Sequence, residues 1–199
     1  MTVLGIFGSI ASGKSTARRF FEKRGFFGID ADAIVRELYE ASGVGTTAIA
    51  ELFGKFFLNE EGSVDRKKLL AFLVKNPDRL SDVHRVIHPL VTARIREILA
   101  DLEPSRRVVL ESVYFDSSHL GQFVDFLLEI SAPRDACFER AFVRGLSKTA
   151  FDFFWNRSPN YQADFSVVND GNLDKFEEKL SELFKVSRKR YFRKRWWRF

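Results

Sequence analysis

Eight residues near the start of the chain, Gly8-Ser9-Ile10-Ala11-Ser12-Gly13-Lys14-Ser15, fit the spacing G-x-x-x-x-G-K-[ST]. Glycines at the two ends let the backbone turn tightly, so several N–H groups converge on one phosphate at the positive end of the following helix. Lys14 adds a point charge that reaches the β and γ phosphates. The Ser15 hydroxyl suits a hard cation such as Mg²⁺. The implied chemistry is nucleoside triphosphate binding, with Gly8, Ala11, Ser12, Gly13, Lys14, Ser15 and Thr16 as the phosphate site. The competing reading is an ordinary glycine-containing turn from a strand into a helix.

Carboxylates and guanidiniums supply the next candidates. In Phe26-Phe27-Gly28-Ile29-Asp30-Ala31-Asp32 a short apolar run ends in two acids. A carboxylate there can orient an acceptor hydroxyl, take its proton or hold Mg²⁺ through water. Helix capping is the alternative, and it explains one aspartate better than the pair. Val108-Val109-Leu110-Glu111 also ends in an acid, and Asp116 competes with Glu111 for a metal-side role. Arg140 and Arg144 are spaced to share a helical face and to neutralise phosphate oxygens; a solvated face is the competing reading. His84 and His88 have i, i+4 spacing, but Arg85 stands where H-E-x-x-H has its acid, which argues against a metal pair. His119 stands alone in a polar loop.

These residues need a scaffold. Apolar runs at 2–7, 26–30, 107–111, 125–131 and 164–169 read as strands, with helical periodicity between them. That alternation predicts a mainly parallel five-stranded sheet with helices on both faces, a three-layer α/β/α fold. In such sheets ligands collect at the carboxyl ends of strands, where the loop at 8–15 and the acids at 30 and 32 fall. Residues 16–21 and 33–40 read as helices. From 65 to 102 there is no strand candidate, only helix-like stretches at 69–74 and 80–102, with Pro89 expected to kink or divide the second. Asn172 is a good N-cap for a last helix whose stripe is Leu173, Phe176, Leu180, Leu183 and Phe184.

Composition narrows the class. At 199 residues the chain can bury one full core. No apolar run approaches the ~20 residues of a membrane span, and no secretory signal is evident. A single cysteine, Cys137, forms no internal disulfide and fits a reducing, cytoplasmic setting. Residues 185–199 hold eight Lys or Arg and no acid, so subtracting them from the net charge of +5 leaves −3 for the rest. A nucleic-acid footprint over the whole protein is therefore not supported. The tail, with Tyr191, Phe192, Trp196, Trp197 and Phe199, suits either a solvated extension or contact with a membrane surface or single-stranded nucleic acid. A monomer or weakly associating homo-oligomer is expected.

Taken in order, GSIASGKST, FFGIDADAIVREL, FGKFFLNEEGSVDRKKLLAFL, His88-Pro89, the Arg140/Arg144 spacing, Ala163-Asp164 and VVNDG resemble the dephospho-CoA kinases over roughly residues 2–185. The resemblance implies a P-loop kinase fold with a helical substrate insertion and a lid. It implies transfer of the γ-phosphoryl of ATP to the 3′-hydroxyl of dephospho-CoA, with ATP and Mg²⁺ required. By position, residues 1–60, 103–135 and 162–185 form the nucleotide core, 61–102 the insertion, 136–161 the lid and 186–199 the tail. Asp32 becomes the base, supported by Lys14 and Arg140, with Arg144 on ATP. Asp30, Asp65, Arg66 and His88 go to the acceptor, and Ser15 with Glu111 to the metal. Some positions depart from the family pattern. Ser9 and Ala11 replace loop glycines, Glu111–Asp116 lacks the proline and leucines of D-x-P-L-L-x-E, and Cys137 stands where glutamine is common. The 156–164 stretch is about one turn short and lacks an expected lysine. Another small-metabolite kinase, or a non-catalytic nucleotide-binding protein acting through its tail, are the competing functions.

Overall fold

All five apolar runs become strands of one sheet. The computed structural model describes residues 1–190, so the tail from 191 onward lies outside the described residues. The strands are β1 (Thr2–Phe7), β2 (Phe27–Asp30), β3 (Arg107–Glu111), β4 (Phe126–Ser131) and β5 (Phe165–Val168), in spatial order β2-β3-β1-β4-β5. Every neighbouring pair is parallel. β1 is central and buried at all six positions, which is why it carries no polar alternation.

Side-chain alternation along the strands divides the interior into two cores. Val3, Phe7, Val108 and Leu110 join one of them; Leu4, Ile6, Val109, Leu128 and Ile130 join the other. The first core is covered by α2 (Ala31–Leu38), α3 (Val44–Phe53), α4 (Arg66–Lys75) and α5 (Leu80–Ala100). The second is covered by α1 (Lys14–Glu22) and α8 (Leu173–Arg190). α6 (Arg134–Val143) and α7 (Lys148–Trp155) pack on each other, with Cys137, Ala141 and Phe151 buried between them and Ile10 and Ala11 alongside. The fold is the expected three-layer α/β/α sandwich.

Local chemistry starts the helices where they start. Asp30 caps α2 by accepting from Ala33 N (3.0 Å), and Asp65 caps α4 by accepting from Lys68 N (3.0 Å). Ser147 and Asn172 do the same for α7 and α8. Two sequence expectations give way. Of the two outcomes expected at Pro89, division does not occur: α5 runs unbroken from Leu80 to Ala100, with Ile87 and Val91 buried on either side of the exposed proline. Leu173 leaves the predicted stripe, since it is 58% exposed at the start of α8. Phe176 and Leu180 are buried there, each worth about 1.5–3 kcal/mol of transfer free energy. α3 packs directly on α5.

Candidate active site

Strand order decides where the site lies. β1 has β3 on one side and β4 on the other, so the chain leaving its carboxyl end enters the crevice where connections diverge. The loop there is shaped by two glycines. Gly8 has φ 150, and a side-chain carbon on it would run into the Ile130 carbonyl. Gly13 has φ 112, and a Cβ would lie 2.5 Å from Asn169 Nδ2. Asn169 is buried after β5, and its Nδ2 donates to the Ser12 carbonyl at 2.8 Å, tying the loop to the far edge of the sheet. Ala11 has φ 57, a left-handed conformation that costs an L-residue about 1–2 kcal/mol.

Lys14 lies back along the loop, its Nζ donating to the carbonyls of Gly8 (3.1 Å) and Ser9 (2.9 Å). Burial pulls its ammonium below the usual lysine range, with Asp32 and Glu111 opposing that shift. Ser15 Oγ donates to Glu111 Oε1 at 2.6 Å. The other Glu111 oxygen accepts from Arg18 Nε at 2.9 Å, and Arg18 also pairs with Glu22 at 2.6 Å. Of the two acids competing for the metal-side position, Glu111 therefore adjoins the loop, whereas Asp116 pairs with His119 (2.8 Å). Arg18 is a site residue that the sequence patterns do not single out.

The two aspartates after β2 divide the roles left open between them. Asp30 takes the capping position and lies 3.6 Å from both Arg18 and Arg36. Asp32 makes no hydrogen bond among the described residues and exposes its surface to the cleft. Partial desolvation within the cleft pushes its carboxyl above the usual range even though the residue keeps exposed surface; Lys14 pulls the other way and Asp30 adds to the rise.

One cleft of about 700 Å³ joins these groups. At one end are Ala11, Gly13, Lys14, Ser15, Thr16 and Glu111, with Arg144 beside them. At the other end Leu69, Leu73, Val83, Ile87 and Val91 of α4 and α5 form an apolar wall, with Arg66, His84, His88, His119 and Tyr114 also facing the cavity. Phe153 and Phe154 of α7, with Arg157, close the side. Several sequence candidates are not part of this lining. Asp30 and Asp65 are caps, Gly8 and Ser12 shape the loop from behind, and Arg140 lies outside with its Nη1 buried and unpartnered among the described residues. The Arg140/Arg144 spacing does not bring both guanidiniums to the cleft: Arg144, the C-cap of α6, lines it and Arg140 does not.

The departures from the family pattern have local structural answers. Cys137 is fully buried against Phe151 and Ala141 rather than facing the cleft. The 156–164 stretch places Arg157, Ser158 and Pro159 along the cleft. It also brings the Tyr161 hydroxyl to Phe115 N (3.1 Å), which holds the 112–119 loop. Tyr161 and Asn169 were absent from the sequence candidates, although Asn169 stands inside the VVNDG segment that marked the resemblance.

A parallel sheet, a phosphate loop at its switch point and a carboxylate facing the loop lysine across one cleft define a P-loop kinase. Comparison with known proteins gives the branch. The sequence profile of the dephospho-CoA kinase (CoaE) family matches residues 2–152. The chain belongs to the dephospho-CoA kinase family, whose members are ATP-dependent kinases. It is 27% identical over 189 residues to the dephospho-CoA kinase of Aquifex aeolicus, covering 92% of this chain and 96% of that one. It is 31% identical to the dephospho-CoA kinase of Streptomyces avermitilis, covering 92% and 93%. Among solved structures it is similar to TT1252 of Thermus thermophilus, with a TM-score of 0.73 at 25% identity, covering 93% and 97%. It also shares the fold of the dephospho-CoA kinase of Campylobacter jejuni, with a TM-score of 0.57 at 21% identity, covering 93% and 96%. Among the described residues no helix is long and apolar enough to cross a membrane.

Proposed function

We propose that this chain transfers the γ-phosphoryl of ATP to the 3′-hydroxyl of dephospho-CoA, with Asp32 accepting the hydroxyl proton. The observation that carries this reading is the division of labour at β2: Asp30 is consumed as a cap, and Asp32 is left uncapped in the cleft shared with Lys14. The loop from Gly8 to Thr16 presents backbone N–H groups to the ATP phosphates, and Lys14 exchanges its two carbonyl partners for phosphate oxygens. Arg144, which lines the cleft beside the loop, is assigned to the nucleotide phosphates, with α6 and α7, packed on each other, as the lid. Arg140 supports that lid from outside the cleft.

On the acceptor side, the apolar wall of α4 and α5 takes the long uncharged arm of dephospho-CoA. Arg66 and His88 face the same space, and Asp65 fixes Arg66 by capping its helix. The oxygen donors of Ser15 and Glu111 suit Mg²⁺. When bound, Mg²⁺ neutralises phosphate charge; these two side chains would hold it, and Arg18 fixes the orientation of Glu111. Catalysis is then alignment of donor and acceptor plus stabilisation of spread negative charge. The lone buried cysteine fits a reducing cytoplasm.

The test is incubation with Mg²⁺-ATP and dephospho-CoA, with CoA as the readout; no CoA across pH and divalent ion overturns the reading. Asp32→Asn is expected to lower kcat by about 10²–10⁴-fold with ATP affinity retained. Because Asp32 must be ionised to accept a proton and its carboxyl is shifted upward, activity is lost as pH falls through a point above the ordinary carboxylate value. The acidic limb of kcat/KM drops about tenfold per pH unit and is absent in the Asn variant.

A further inference from the structure

The chain has three histidines, and all three meet at one end of the cleft. His84 and His88, one turn apart on α5, stack with ring centroids 4.4 Å apart. The His119 ring, from the loop after β3, stands edge-on to His88 at 5.2 Å. Tyr114 packs its ring on His84 (4.8 Å) and His88 (5.3 Å). One donor atom from each of His88, Asp116 and His119 lies within 4.8 Å of the other two.

We propose that His88, His119 and Asp116 form a binding site for a borderline divalent transition metal of the Zn²⁺ type, separate from the hard-oxygen pair Ser15–Glu111. The plain alternative is a loop-fixing contact between Asp116 and His119. That contact exists: Asp116 Oδ1 accepts from Ser118 N (3.1 Å), meets His119 Nδ1 at 2.8 Å and accepts from the Ser118 hydroxyl. It uses only one carboxylate oxygen, however, and Oδ2 has no hydrogen bond among the described residues. It also leaves unexplained why His88 faces the pair with neither ring nitrogen hydrogen-bonded among the described residues.

The chemistry selects the ion. Two imidazoles and a carboxylate suit Zn²⁺, Ni²⁺ or Cu²⁺, whereas Mg²⁺ prefers oxygen ligands alone. Tetrahedral zinc bonds of about 2.0–2.2 Å put ligand atoms about 3.4 Å apart, so donors near the 4.8 Å limit close by up to about 1.4 Å on binding, while the 2.8 Å contact of Asp116 Oδ1 with His119 Nδ1 opens or is replaced by the free Oδ2. The scaffold already limits their freedom. His88 lies beside buried Ile87 on α5, and the loop is held by Phe115 N donating to Tyr161 and Gly121 N donating to the Asp116 carbonyl at 2.9 Å. The three side chains are only partly buried, which leaves open positions for water.

The test is direct metal binding to the full chain after treatment with a chelator. Titration with Zn²⁺ by calorimetry is expected to give one site of micromolar Kd, and Co²⁺ to give visible d–d absorption that Zn²⁺ displaces. His119→Ala and Asp116→Asn are each expected to weaken Zn²⁺ binding at least about tenfold while the metal-free melting temperature is kept. Affinity equal to wild type in both variants, or binding no tighter than millimolar in the wild type, overturns the proposal. Ring NMR signals of the wild type decide the matter without any variant: those of His88 and His119 shift at one equivalent of Zn²⁺, and unshifted signals sink the site. None of these readouts involves kinase turnover, so their failure leaves the proposed reaction standing.

Discussion

The two ends of the cleft are built by different means. The donor end is mostly backbone: a loop of six residues, Gly8 to Gly13, between β1 and α1, shaped by its two glycines and tied down by one amide, Asn169. The acceptor end is mostly side chain, with walls from α4, α5, α7 and the 112–119 loop that are distant in sequence. Backbone recognition of phosphate tolerates many side chains but few conformations. Side-chain recognition of an apolar arm tolerates loop variation but depends on packing volume. At the donor end Ala11 is accommodated in a left-handed conformation, whereas at the acceptor end Tyr114 and Tyr161 contribute through their side chains, Tyr114 packing on His84 and Tyr161 holding Phe115 N.

That contrast can be broken most sharply at Lys14. Lys14→Met is expected to cost about 10²–10³-fold in kcat/KM, because it removes a buried ammonium from a site otherwise built mostly of backbone. A loss under tenfold, by steady-state kinetics, would mean that the backbone suffices alone. Next comes the acceptor wall. Leu73→Ala, at a residue only 6% exposed, is expected to cost about 2–4 kcal/mol in denaturant unfolding and to raise the KM for dephospho-CoA more than that for ATP. Equal changes in both KM values would erase the distinction between the ends.

Smaller effects sharpen it. Asn169→Ala leaves the buried Ser12 carbonyl without its 2.8 Å partner, and about 1–3 kcal/mol of stability should go with it. The KM for ATP should rise while that for dephospho-CoA holds, which separates loop anchoring from general loosening. Smallest is Ala11→Gly. Relief of the left-handed conformation outweighs the added freedom of the unfolded chain, for a net gain of about 0.5 kcal/mol by thermal melting. A loss of stability there would show that the alanine methyl packing beside Cys137 and Phe151 matters more than the strain.

Much of this was legible in the chain itself. Strand positions followed from apolar runs, and the sheet closely matches them, because a parallel strand covered on both faces must be apolar along its whole length. The phosphate loop was legible because its function is carried by contiguous residues. The resemblance through DADAIVREL and SVDRKKLL pointed to the acceptor, and the family match bears that out. Which aspartate caps and which stays free was not readable from spacing, since both choices fit an N-terminal turn. His119 looks isolated in the sequence because its neighbour, His88, lies on another element.

Local sequence therefore determined the strand segments, the phosphate loop and the Asn172 cap, each of which depends on residues a few positions apart. Tertiary structure decided the rest: Glu111 rather than Asp116 beside Ser15, Arg144 rather than Arg140 at the cleft, Asn169 behind the loop and three histidines in one place. The physical reason is range. Periodicity and capping act over one or two turns, whereas a carboxylate meets its partner only after strands from opposite halves of the chain have been set side by side.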